Sequence, residues 1–157
     1  MKTAEDILNE KKRDMVWVKE DQTVFDAVQV MVDYDIGAVL INKEGRMVGI
    51  FSERDLLRNM ADPDFKPKEA RVGNYMSKPL HCAAYDTPLI KLNEKFLGLY
   101  IRHILIEKGD QQLGMLSIGD VMRASLLEQD KQIKELNAIA SWEYYEDWGW
   151  DRKKRKP

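Results

Sequence analysis

The sequence predicts an α+β fold built from one β-α-β-β-α unit used twice and extended at its C-terminal end, and three observations carry that prediction. Gly114-Met-Leu-Ser117-Ile-Gly-Asp120 repeats Gly49-Ile-Phe-Ser52-Glu-Arg-Asp55: glycine, two large apolar residues, serine, two variable residues and aspartate. The separation, 114−49 = 65, persists outside the motif, since Ile36 to Ile41 falls on Ile101 to Ile106, Leu56-Leu57-Arg58 on Val121-Met122-Arg123, and Asp21 on Asp86. Short apolar runs with strand character then alternate with helical apolar faces in the same order in both halves. A register held this far marks one supersecondary unit used twice, each copy needing the other to close a core.

Taken in order, residues 1–61 form the first repeat, 62–71 a linker, 72–128 the second repeat and 129–157 an extension. Thr3-Ala-Glu-Asp6 carries the Ser/Thr-x-x-acid pattern of a helix start, so a short helix runs from Thr3 to about Asn9. Met15 to Val18 reads as a strand. Thr23-Val-Phe-Asp26 opens a stronger helix in which Val24, Ala27, Val28 and Met31 recur at i, i+3, i+4 and i+7. Ala38–Ile41 and Met47–Phe51 are β-rich runs joined by Asn42-Lys-Glu-Gly45, a hairpin. Ser52-Glu-Arg-Asp55 then starts the next helix. The two prolines of 61–67 link the halves rather than continue that helix.

The order restarts with Val72-Gly-Asn-Tyr-Met76, an echo of the opening helix. Leu80 to Ala84 is a strand, Thr87 an N-cap with Pro88 at the first helical position, and Leu89, Leu92 and Phe96 a buried face. Ile101–Ile106, a turn at Gly109-Asp110 and Leu113–Leu116 rebuild the hairpin, and Ser117 to Asp120 opens a helix that runs on to Ala140. The segment 141–150 holds three of the four tryptophans and has no counterpart in the repeat; it docks on a partner or on its own chain.

The totals narrow the function classes. A net charge of −2 gives no global attraction to nucleic acid or anionic lipid, and only 152–156 is strongly basic, a pattern more typical of a solvated end than of a nucleic-acid site. One cysteine, Cys82, excludes an intrachain disulfide and fits a reduced cytoplasm; it reads as a buried thiol. No stretch has the length or apolarity of a signal core or a membrane span. P-loop, Rossmann and HExxH patterns are missing, and His81-Cys82 has no further metal ligands nearby. Eight methionines read as core fillers.

Two segments, 3–60 and 72–128, together resemble a tandem pair of CBS (cystathionine β-synthase) domains, or Bateman module. The resemblance rests on Val72-Gly-Asn-Tyr-Met76, Asp21 and Asp86, Ile101-Arg-His-Ile-Leu-Ile106 and the two Gly-x-x-Ser-x-x-Asp motifs. It implies two CBS-type repeats packed through their sheets about a pseudo-twofold axis, with two clefts that hold adenosine-containing ligands. It implies a regulatory homodimer, not an enzyme, that requires no cofactor and takes an adenine nucleotide, AMP or ATP first, as its ligand.

An aspartate accepts from both ribose hydroxyls, and Asp55 and Asp120 match the family's ribose position. Ser52 and Ser117 match its sugar or phosphate contact. The same serines and aspartates form capping boxes with no ligand present, worth about 1 kcal/mol each. Arg102 and His103 match the basic pair at the cleft mouth, with Arg54 a third candidate. Gly37 and Ala38 replace that pair in the first repeat, so the clefts are not equivalent: small residues there admit a base closely or leave one cleft weak. Ile118, Val16, Val39, Leu80 and Ile104 are candidates for base stacking or simple core packing. A ligand-free dimerisation module that captures a client protein through 141–157 is the alternative reading.

Overall fold

The computed structural model describes residues 1–147, with side chains as far as residue 140. The element order is α1 (Ala4–Lys11), β1 (Trp17–Lys19), α2 (Val24–Tyr34), β2 (Ala38–Lys43), β3 (Arg46–Ser52), α3 (Glu53–Met60), a 3-10 turn at Val72–Asn74, β4 (Cys82–Ala84), α4 (Leu89–Leu99), β5 (His103–Lys108), β6 (Gln111–Ser117) and α5 (Ile118–Asp147). Each half holds one three-stranded sheet, ordered β1-β2-β3 and β4-β5-β6. In both, the first pair is parallel and the second antiparallel. The predicted α+β architecture and its strand order are therefore those of the molecule.

The repeat extends to irregularities. Both hairpins shift register at equivalent places, Ile41/Asn42 and Ile106/Glu107. Both turn through two residues with a glycine at positive φ, Gly45 at 87° and Gly109 at 61°, as tight hairpins require. Asn42 is buried, and its side-chain oxygen accepts from Gly45 N at 2.9 Å.

The halves meet through their sheets. Leu40, Met47 and Leu105 form a cluster flanked by Met15, Leu80 and Met115. Leu105 is the 65-offset image of Leu40. Gln112 stands at the same offset from Met47, its amide oxygen accepting from Met47 N at 2.8 Å and its amide nitrogen donating to Met47 O at 3.0 Å. Equivalent residues touch each other only near a pseudo-twofold axis, so this contact locates it.

The opening segments cross over. Ala4 and Ile7 of α1 are buried in the core of the second half, with Leu92, Phe96, Ile104, Leu116 and Val121. Val72 is buried in the core of the first, with Val24, Val39, Ile41 and Phe51. Each crossing segment also completes a helix start: Val24 N donates to Ala70 O, and Leu89 N to Lys2 O. Strand periodicity showed which faces are apolar but not that their covers come from the opposite repeat.

Two local readings are corrected. Thr87 is not the cap of α4; the cap residue is Pro88, with no side-chain cap bond, because the strand-like pairing of Thr3 with Pro88 brings Lys2 O to Leu89 N instead. Cys82 is exposed rather than buried, since on three-residue β4 only the central Ala83 faces the core. The methionines divide: Met31 and Met47 are core, whereas Met60 and Met122 are more than half exposed.

Candidate functional site

Four helices start with the same reciprocal cap. At α1, α2 and α3, a Thr or Ser accepts from the backbone N–H three residues on, while the aspartate there accepts from the cap residue's N–H. Ser117 and Asp120 repeat this at α5. At α3 and α5 the cap follows directly on the last strand of the sheet, which places Asp55 and Asp120 beside the inter-repeat junction.

Two clefts open there. The first, of about 620 Å³, is lined by Gly37, Ser52, Arg54, Asp55, Arg102, His103, Ser117 and Ile118 among the predicted residues. The second, of about 200 Å³, is lined by Gly37, Ala38, His103, Ser117 and Asp120. All ten predicted residues thus face a cleft. Gly37, His103 and Ser117 face both. Of the apolar candidates, Leu80 and Ile118 line the first cleft and Val16 the second. Val39 and Ile104 are core residues, 0% and 1% exposed.

The two aspartates differ in what they have left to offer. Asp55 is buried; its Oδ2 accepts from Ser52 N and Oγ at 2.9 and 3.0 Å, and its Oδ1 accepts from Ser77 Oγ at 2.9 Å. Both oxygens are engaged. Asp120 concentrates its bonds on Oδ2, which accepts from Ser117 N and Oγ, both at 2.8 Å, and from Lys11 Nζ at 2.7 Å. Its Oδ1 has no hydrogen-bond partner among the described residues, leaving an acceptor for a sugar hydroxyl. Lys11 Nζ also donates to Met115 O at 3.0 Å.

Charge follows the same asymmetry. Partial burial would raise the Asp120 carboxyl, but hydrogen bonds from Lys11 and Ser117 outweigh it and hold the group below its ordinary value. His103 is held below its ordinary value, first by burial and then by the Lys11 charge, with Asp120 opposing. Gly37 accommodates Glu53, whose carboxylate lies 3.2 to 3.3 Å from where a Cβ would stand. The place of the missing basic pair in the first repeat is thus filled by an acid.

The motifs did not single out several polar cleft residues. Ser77, Lys78 and Tyr100 line the first cleft with Arg58, and Lys11 closes the second. Ser77 and Lys11 sit in the segments leading into the opposite repeat, where the offset aligns Ser77 with Lys12 (77−65 = 12), one residue from Lys11. Arg58 stands one helical turn beyond Arg54, the spacing that could have signalled it. Among the described residues, no group of three His, Cys, Asp or Glu side chains is placed to hold a metal, and no helix is long and apolar enough to cross a membrane.

The CBS domain family signature matches residues 4–62 and 72–127. The mitochondrial CBS domain-containing protein CBSX3 of Arabidopsis thaliana is 31% identical over 151 residues, 90% of this chain and 73% of its own. Among solved structures, a CBS-domain containing protein of Agrobacterium tumefaciens superposes with a TM-score of 0.72 at 31% identity, covering 78% of this chain and 98% of that one. A CBS domain protein of Pyrobaculum aerophilum complexed with AMP superposes at 0.69 with 25% identity, covering 83% and 99%.

Proposed function

We propose, from the premise that this chain belongs to the CBS-domain family, that it is a regulatory module which holds an adenosine-containing nucleotide between its repeats and passes occupancy to a homodimer or a client protein. The observation that carries the reading is the cleft of about 620 Å³, where a capped helix start, Arg102 and His103, and the apolar Leu80 and Ile118 converge from both halves. Cations and helix N–H groups suit phosphate, and apolar walls suit a base. In the second cleft, Asp120 Oδ1 offers the acceptor for ribose. The AMP held by the Pyrobaculum aerophilum relative supports an adenosine ligand. Binding becomes a signal when the ligand prefers one packing of the two halves over another.

Calorimetric titration with AMP, ADP, ATP, NAD and S-adenosylmethionine tests this. Binding in the micromolar range is expected for at least one adenine nucleotide, weakened in Asp120→Ala. Absence of heat and of any melting shift across the panel refutes it. A cytoplasmic location rests on the single cysteine, and the mitochondrial relative offers the alternative compartment.

The buried Asp55 carboxylate, with a protein donor already on each oxygen, favours a second reading, a ligand-free dimerisation module that captures a client through 141–157. That segment's side chains lie outside the described residues. Under this reading, deleting 141–157 abolishes partner capture and leaves the fold intact, while no nucleotide changes the melting temperature.

A further inference from the structure

We propose that the first cleft is a polyphosphate site: it takes a nucleoside triphosphate in preference to the monophosphate, with Arg54, Arg58 and Lys78 holding the outer phosphates. This rests on the nucleotide reading given above.

Four fixed cations, Arg54, Arg58, Lys78 and Arg102, line this cleft, against two acids, Glu53 and Asp55. Asp55 is buried and spent on Ser52 and Ser77, which leaves Glu53 as the acid able to meet a ligand. Among the described residues, none of the four cations makes an ion pair or a side-chain hydrogen bond. In the second cleft, by contrast, Lys11 is paired with Asp120 at 2.7 Å, and Asp14 lines the same wall as Arg13.

The four come from three walls. Arg54 and Arg58 lie one turn apart on α3, Lys78 is on the connector before β4, and Arg102 precedes β5. Like charges held around one cavity repel, and a single phosphate group meets only the nearest of them. A chain of phosphates neutralises all, each added group accepting charge-assisted bonds from donors the previous one cannot reach. The Ser77 hydroxyl occupies the Asp55 oxygen that a sugar would otherwise take, so the anchor in this cleft shifts from ribose to phosphate. Volume agrees, since this cleft, at about 620 Å³, is some three times the second, at about 200 Å³.

Calorimetry with AMP, ADP, ATP and inorganic tripolyphosphate on the wild type and on an Arg58→Ala/Lys78→Ala variant tests the proposal. The wild type is expected to bind ATP at least about tenfold more tightly than AMP, the worth of one added charge-assisted contact. In the double variant, whose replaced residues are both exposed, the gap closes to within about threefold with the unliganded melting temperature unchanged. AMP binding as tightly as ATP, or a gap that survives both substitutions, overturns the proposal. Tripolyphosphate bound as tightly as ATP retains the cationic site and overturns the nucleotide reading. No binding by any of the four overturns both.

Discussion

The carboxylates of Asp55 and Asp120 each close a helix start and face a cleft. Removing the cap costs about 1 kcal/mol by itself. Asp120→Ala should cost more, because it also strands the Lys11 ammonium, and a urea denaturation midpoint reads the loss. The sign of its pH dependence is set: Asp120 is held below the ordinary 3.8, so its contribution is full above that pH and is lost as pH falls through the lower, folded value. For His103 the ordinary value is 6.5 and the folded one lower, so below 6.5 the unfolded chain takes up a proton first and stability falls. His103→Gln should remove that part of the decline between about pH 7 and pH 5, measured as the change in denaturation midpoint. Were the decline the same in both proteins, His103 would not be the group responsible.

Crossing segments explain why each motif begins with glycine. A Cβ at Gly114 would stand 2.9 Å from Leu8 of α1, and one at Gly49 would collide with Met76 and approach Ser77 O to 3.1 Å. The absent side chain in each repeat is the seat of the segment arriving from the other end of the chain. Gly114→Val should therefore destabilise by about 1 to 3 kcal/mol through overpacking. Ile7→Ala, at a position 4% exposed, should cost about 2 to 5 kcal/mol although it lies seven residues from the chain start. An Ile7→Ala protein as stable as the wild type would mean that α1 is not part of the second core. The helices and hairpins were legible because their periods and turn residues are local. The crossings were not, because an apolar face records that it is covered and not by what. Thr87 and Cys82 failed for related reasons: the helix start borrowed a remote carbonyl, and a three-residue strand buries only its centre.

At the scale of the whole molecule, the 65-residue register made both clefts predictable in place, since a pseudo-twofold axis must generate two. It left their contents open, because ten motif-matched residues are shared between clefts that differ about threefold in volume and also in charge. The clasp residues Ser77 and Lys11 give that difference its form: a neutral hydroxyl takes the second oxygen of Asp55, whereas a charged ammonium joins Asp120 at the oxygen its cap already uses. A ligand seated between halves that share one interface stabilises both together, by about 2.7 kcal/mol at a hundredfold excess over Kd. The melting temperature should rise by several degrees under those conditions, at about 2 to 4 °C per kcal/mol for a chain of this size. The most direct test of the central claim, that the crevices between the repeats recognise an adenine nucleotide, is calorimetric titration of the intact protein with ATP. The account predicts saturable binding that weakens when Arg102 and His103 are replaced by Gly and Ala, their counterparts in the first repeat. Binding that is indifferent to that exchange, or no heat at all, would contradict it.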